Sequence, residues 1–364
     1  MSEKAISKYR SIRDVLLSEI KSGVYDGTGT LPGEHELVSR FGAARETLRR
    51  AILELEHLGL VRRKHGVGTF VCKRGGCRSG VIGLLIPSAS VARIFKDFER
   101  QISRFARLGG YRLVVQEAEV GTLAETKVRL RRVAREMALK NLDGVIMRPL
   151  VDDRFSEVNK EIVRIFKNAQ VPVVLIDSDI VSPPARSDCD LVSVDNVSAG
   201  RRVAEHLYRK GCRKVAFMTN GSQLRNNANW RNRLFGVAGE LALLKVKQAV
   251  RTLDFKPHDL AKLRTLWKSK ERPDALVCGN DETAVALIES LMKIGKQVPR
   301  DVAVVGFDDA ALAASCPVPL TTVHLPVELI AKTAVKTLDM RISHPKGDLH
   351  EICLEAPLVV RQSC

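Results

Sequence analysis

The sequence predicts an α/β chain in two parts: an N-terminal winged helix-turn-helix over residues 1–72, a linker over 73–80, and a two-lobed α/β body over 81–364. Three observations carry this. Apolar residues recur at helical spacing through the first 58 positions, and "VRRKHGVGTFV" then sets two short β-prone runs around a glycine turn. From Gly80 onward, short Val/Ile/Leu runs alternate with helical stretches, the pattern of parallel sheets covered on both faces. At 364 residues the chain is also too long for one ordinary core.

In KYRSIRDVLLSEIKSG, Ile12, Val15, Leu16 and Ile20 form one helical stripe, which Gly23 stops. TLPGEHELVSRFG opens a short second helix at Pro32 and Gly33. Glu34 and Glu36 fall in its first turn, where the helix dipole favours carboxylates, and Gly42 ends it. In RETLRRAILELEHLG, Leu48, Ala51, Ile52, Leu55 and Leu58 share a face, while Arg45 and Arg49 lie one turn apart beside it. This third helix therefore shows a basic N-terminal end to solvent. The hairpin that follows carries Lys64 and His65 at its tip, in reach of phosphates or a groove. KRGGCRSG, glycine-rich and without periodicity, reads as a flexible linker.

The body opens with VIGLLIP and continues through YRLVVQEA, LDGVIMRP, VPVVLIDS, LVSVDN, KVAFMTN, AVRTLDF, DALVCGN and DVAVVGFDD as strands. Small and polar residues gather where these runs end: Ser88, Asp177, Asn280, Asp281 and Asp308. Ligand crevices of open α/β sheets lie at the carboxyl ends of strands, so these side chains can converge. Each aspartate also stands where a helix-entry cap would. Two blocks, roughly 80–180 and 190–320, are expected as the two lobes. Trp230 reads as a core or interface residue.

A formal charge of +17 and a pI near 9.7 point to polyanionic partners. The charged N-terminus lacks a signal-peptide core and no run approaches 18 apolar residues, so a cytoplasmic location and no membrane contact are expected. Cys72, Cys77, Cys189, Cys212, Cys278, Cys316, Cys353 and Cys364 lack CxxC or histidine spacing and read as reduced packing residues. No phosphate loop or GxGxxG occurs, and the acidic pairs Asp152/Asp153 and Asp308/Asp309 have no nucleophile beside them. No cofactor, metal or catalytic residue is expected.

"LPGEHELVSRFG", "ARETLRRAILELEHLGLV" and "HGVGTFV", in that order, resemble the winged-helix DNA-binding domain of the GntR family. Residues 80–364 are similar to the effector domain of LacI-type regulators, which is periplasmic-binding-protein-like. The matching stretches are "VIGLLIPS", "DGVIMRP", "PVVLIDS", "VSVDN", "GCRKVAFM", "RNRLFGV", "CGNDETAVA", "VPRDVAVVGFDD", "PLTTV" and "LVVRQSC". The combination resembles the GntR/LacI hybrid regulators. The resemblance implies that Glu34, His35, Arg45, Thr47, Arg49 and Arg50 meet DNA from the helices, and Lys64, His65, Gly66, Gly68 and Thr69 from the wing. Arginine suits this because its fork binds guanine or clamps phosphate. It further implies that Ser88, Phe95, Asp177, Arg233, Asn280, Asp281 and Asp308 line an effector cleft, where carboxylates and arginine bond hydroxyls and an aromatic ring covers a sugar's apolar face.

The chain departs from the family pattern at Gly33 and His35, which flank Glu34 in place of the usual Ser and Arg, and at Ala44, where Ser usually precedes the recognition arginine. "SASVARIFKDF" replaces an Asn-x-Phe-Phe pattern, and Ser178 stands where an arginine often follows the lobe-one aspartate. The expected function is a homodimeric repressor on double-stranded operator DNA, controlled by a small carbohydrate-like effector. The alternatives are an α/β enzyme of small-molecule metabolism, which would turn over its ligand, and a sugar-binding receptor without specific DNA binding.

Overall fold

The computed structural model describes residues 3–25, 27–57, 60–64, 67–71, 79–88, 93–119, 121–219 and 227–364. The expected wing-tip residues His65 and Gly66, Leu58 of the third helix, and linker positions 73–78 lie outside these. So do the side chains of Lys64, Ser88 and Phe95.

The head consists of α1 (Glu3–Lys21), α2 (Glu34–Phe41), α3 (Arg45–His57) and a hairpin of β1 (Val61–Lys64) and β2 (Gly68–Val71). Ile12, Leu16, Leu37, Leu48, Ile52 and Leu55 close its core, so the helical stripes read from sequence do bury, although Val15 remains 39% exposed. Helix α2 starts after Gly33 without a side-chain cap, and ends at Gly42 in a left-handed conformation that glycine adopts freely. The hairpin is antiparallel, in register Lys64↔Gly68, and Thr30 bridges to Phe70 on its far side.

Two six-stranded sheets form the body. Lobe one runs in the order β13 (Glu351–Leu354), β7 (Asp190–Val194), β6 (Val173–Ile176), β5 (Gly144–Met147), β3 (Val81–Ser88), β4 (Arg112–Glu119). It is flanked by α4 (Arg93–Leu108), α5 (Leu123–Leu139) and α6 (Ser156–Asn168). Lobe two runs β14 (Leu358–Val359), β12 (Thr321–His324), β11 (Ala303–Asp308), β10 (Ala275–Cys278), β8 (Val215–Met218), β9 (Arg251–Leu253). Its helices are α7 (Asn196–Arg209), α8 (Ala228–Leu243), α9 (Leu260–Lys268), α10 (Asp281–Lys293) and α11 (Ala311–Ser315). All pairings in the two sheets are parallel except β12 with β14.

The nine expected strands all form, but the expected blocks 80–180 and 190–320 do not delimit the lobes. Strand β7 pairs with β6 in lobe one, and helix α12 (Val327–Ser343) returns from lobe two to pack on α4 and across β5, β6 and β7. Strand β13 then pairs with β7 before the chain crosses to β14. Three crossings thus join the lobes, and a buried Arg341–Asp190 pair at 2.7 Å pins the last return. Strands β12, β13 and β14 escape a reading based on apolar runs because they are short and mixed in polarity.

Candidate functional site

At the head, Arg45, Arg49 and Arg50 are exposed along the first turns of α3, and Thr47 is half-buried. Arg50 stacks its guanidinium 4.5 Å above the ring of Tyr9 in α1. Glu34, at the first position of α2, accepts from Arg49 Nε at 3.1 Å and from Arg63 of the wing at 2.9 Å. The Arg49 hydrogen bond holds its carboxyl below the ordinary range. One acid therefore ties helix α3 to strand β1, and both cations are held at one exposed face of the head. His35 is exposed on the next position of α2, while Gly68 and Thr69 follow the wing turn on β2.

In the body, the carboxyl ends of the strands face each other across a cleft. Asp177 follows β6 and is 5% exposed, with φ at 70°; it accepts from Arg148 at 2.6 Å and from Asn229 Nδ2 at 3.3 Å. The Ser178 hydroxyl donates to Asn229 Oδ1 at 3.0 Å, so lobe one already touches the start of α8 in lobe two. Opposite stands Asp308 at the end of β11, with φ at 112°. Its partner Arg233 donates to Asp308 at 3.3 Å, to the Gly279 carbonyl at 2.6 Å and to Asn196 Oδ1 at 2.8 Å, with its guanidinium 4.6 Å over the Phe307 ring. Burial pushes the Asp308 carboxyl up to about 6, opposed by Arg233 and reinforced by the charge of Asp177. Positive φ is uncommon for a non-glycine residue, and Asp177 and Asp308, two of the three expected ligand acids, adopt it.

Helix α8 reaches this position because α7 and α8 cross at two glycines. A Cβ on Gly236 would lie 2.0 Å from the Val197 carbonyl oxygen, and one on Gly200 2.2 Å from that of Arg233. The close crossing sets Arg233 at the cleft wall. At its rim, Asp152 bridges to Asn227 and Arg231 pairs with Asp153 at 3.0 Å, again joining the lobes.

Of the residues expected in the cleft, the structure thus brings Asp177, Arg233 and Asp308 together. Asn280 is the N-cap of α10, its side chain accepting from Thr283 N at 3.1 Å. Asp281 is 1% exposed inside lobe two, where it accepts from Thr322 Oγ1 at 2.5 Å and from Ala310 N at 2.8 Å. The capping role considered for Asp281 therefore falls to its neighbour, and its carboxylate braces the loop after β11. Burial, with the nearby Asp308 charge, pushes it up to about 8. Ser88 ends β3 and Phe95 lies in α4, both at the same edge of lobe one. Trp230 is a buried core residue.

Sequence reasoning missed Arg148, Asn196 and Asn229. Arg148 directly follows the fully buried GVIM strand, so the rule that singled out Asp177 applied to it equally. Asn196 and Asn229 carry no such signal, because each is recognisable only once α7 and α8 are packed. Among the described residues, no group of three His, Cys, Asp or Glu is placed to hold a metal ion, and no helix is long and apolar enough to cross a membrane.

Residues 8–71 match the bacterial regulatory proteins of the gntR family, and residues 204–364 match the periplasmic binding protein-like domain. The arabinose metabolism transcriptional repressor of Geobacillus stearothermophilus is 29% identical over 100% of this chain and 99% of its own length. The ribose operon repressor of Escherichia coli K12 is 28% identical over 78% of this chain and 81% of its own. A solved cellobiose complex of a transcriptional regulator superposes with a TM-score of 0.65 at 23% identity, covering 88% of this chain and 90% of that one, which shows a shared fold. The exposed arginines of α3, the wing tied to them through Glu34 and the two-lobed body beyond thus lie in one chain that joins a region matching the bacterial regulatory proteins of the gntR family to a region matching the periplasmic binding protein-like domain.

Proposed function

We propose that this regulator is a cytoplasmic repressor that releases its operator when a small carbohydrate occupies the cleft. Residues 1–72 read the DNA, 73–80 link, and 81–364 bind effector and form the homodimer that sets two heads on a palindromic site. Glu34, His35, Arg45, Thr47, Arg49, Arg50, Lys64, His65, Gly66, Gly68 and Thr69 make the DNA contacts. Ser88, Phe95, Asp177, Arg233, Asn280, Asp281 and Asp308 serve the effector, with Arg148 and Asn229 beside them and Asp281 acting through the loop it braces. The role is binding, and no residue is assigned a catalytic step.

The observation that carries the effector reading is the pair of facing acids, Asp177 and Asp308, each held by an arginine at the carboxyl ends of strands from opposite lobes. Carboxylates oriented in this way accept hydroxyl protons, and the guanidinium groups donate to ring and hydroxyl oxygens. Relatives named for arabinose and ribose operons support a sugar. An effector works only through differential affinity, preferring the lobe closure that does not fit the operator.

The test is a gel shift of the full chain on its own upstream DNA against excess random DNA at fixed salt, repeated with pentoses, hexoses and sugar acids. Specific binding released by one compound establishes the repressor and its effector. No preference for any native fragment, with turnover of a bound compound, favours an enzyme instead.

A further inference from the structure

The charge that signals a polyanionic partner is not where the winged head is. Residues 1–72 hold twelve Lys and Arg against nine Asp and Glu, a net +3 of the chain's +17. In lobe two, strands β11, β10, β8 and β9 are parallel neighbours, so the turns entering them emerge at one edge of the sheet, opposite the cleft. Those turns, taken with the last helix residues Arg209, Lys268 and Lys293 before them, span residues 209–214, 244–250, 268–274 and 293–302 and carry twelve Lys and Arg against three carboxylates, a net +9. Eleven of the twelve are exposed, Lys296 being half-buried.

The pole's acids do little to quench it. Asp274 accepts from the backbone of Arg213 at 2.8 Å and of Lys214 at 2.9 Å, Asp301 from Gln297 N at 2.8 Å, and Glu271 pairs with Arg251 outside these turns. Four helix C-termini end here and favour cations, but at about half a charge each they offset only about two. Lys214 Nζ also reaches the Lys270 carbonyl at 3.4 Å, so two of the turns form one continuous surface. The head enters at the other end of the body: Ser79 and Gly80, just before β3, are held on Asp143, just before β5.

We propose that this pole binds a second segment of duplex DNA, without sequence preference and remote from the winged head. Four strands at ~4.8 Å spacing present a front roughly 14 Å wide. Duplex DNA shows about eight phosphate charges over that length at one per ~1.7 Å, comparable to the net charge of the pole. Eight of the twelve cations are lysines. Lysine is depleted from protein interfaces, where aromatic anchors dominate, but serves readily as a phosphate point charge. Nucleic acid is therefore favoured over an acidic protein.

The test uses the full chain and a labelled random duplex between about 50 and 200 mM salt, so it is independent of whether the head reads an operator. Arg45→Ala/Arg49→Ala/Arg50→Ala disables the head. This variant is expected to retain duplex binding. Adding Lys210→Gln, Lys245→Gln, Lys247→Gln, Lys270→Gln and Arg272→Gln should then weaken it at least ~10-fold and flatten the log–log salt slope by about 4. Should the combined variant fail to fold, Lys245→Glu/Lys270→Glu in the head-disabled chain is the substitute, with the same loss expected. Three results would each overturn the proposal: no duplex binding by the head-disabled chain, binding indifferent to the pole substitutions, or displacement by polyglutamate at equal charge, which would mark a dock for an acidic protein.

Discussion

Arg233 shows how much one side chain can settle. It is 5% exposed and satisfies Asn196, the Gly279 carbonyl and Asp308, so its loss strands a half-buried carboxylate and two polar groups. Breaking a buried pair from one side costs about 3–5 kcal/mol. Arg233→Met should lower the thermal unfolding midpoint by several degrees and weaken effector binding at least tenfold, read by calorimetry on one preparation. Unchanged stability would mean that Arg233 contacts effector alone. Asp281 tests the opposite situation, an acid whose folded state holds its proton up to about 8. As pH rises from about 4 towards 8, the unfolded chain releases that proton while the folded one keeps it, so this group removes stability across the window. Asn at 281 accepts from Ala310 N and donates to Thr322 Oγ1 without ionising. Asp281→Asn should therefore gain on the parent between pH 5 and pH 8, and a constant difference in midpoint would refute the assignment. At this scale the sequence was legible where a polar residue ends an apolar strand, as at Asp177 and Asp308. It was not legible at Asn196 and Asn229, whose roles depend on which helix is laid against them.

Helices and strands were legible in proportion to their periodicity. The stripes of α1 and α3 and the buried runs of the parallel strands announce themselves through burial on one face or two. Strand β13, EICL, alternates between exposed and half-buried positions at a sheet edge and gives only a faint signal, and β14 spans two residues. Which lobe a strand joins is set by the crossover helix α12, and nothing local to LVSVDN distinguishes β7 from a strand of lobe two. The α7–α8 crossing is the element on which the cleft most depends. Gly236 meets backbone rather than a flexible side chain, so an added methyl must push the helices apart. Gly236→Ala is expected to displace α8 with Arg233 and to abolish effector response through geometry. The check is effector titration by calorimetry together with DNA binding of the same variant, whose head should still hold DNA as the parent does. Retained effector affinity would show that the crossing tolerates the extra carbon.

For the whole molecule, the proposed regulation requires that lobe motion be felt by the head across the basic stretch KRGGCRSG. The structure gives one firm point of attachment. The Asp143 carboxylate accepts from Ser79 N at 2.7 Å, Ser79 Oγ at 2.9 Å and Gly80 N at 2.8 Å, fixing the end of the linker to the N-terminal edge of lobe one. Among the described residues, the Asp143 side chain has no hydrogen bond to the head or to the acids and arginines of the cleft. With the anchor intact, rotation of lobe one is transmitted to residue 79; without it, that rotation is no longer passed to the chain at residue 79. Asp143→Ala should therefore leave effector affinity within about twofold, since the cleft lies at the opposite strand ends. It should reduce the coupling between effector and operator, the ratio of operator affinities with and without effector. Coupling in such systems is typically 1–3 kcal/mol, a 5–150-fold effect. Loss of most of it with both separate affinities preserved would place Asp143 on the mechanical route from cleft to DNA. Full coupling in the variant would instead assign transmission to the dimer geometry of the lobes, with the linker a passive connection.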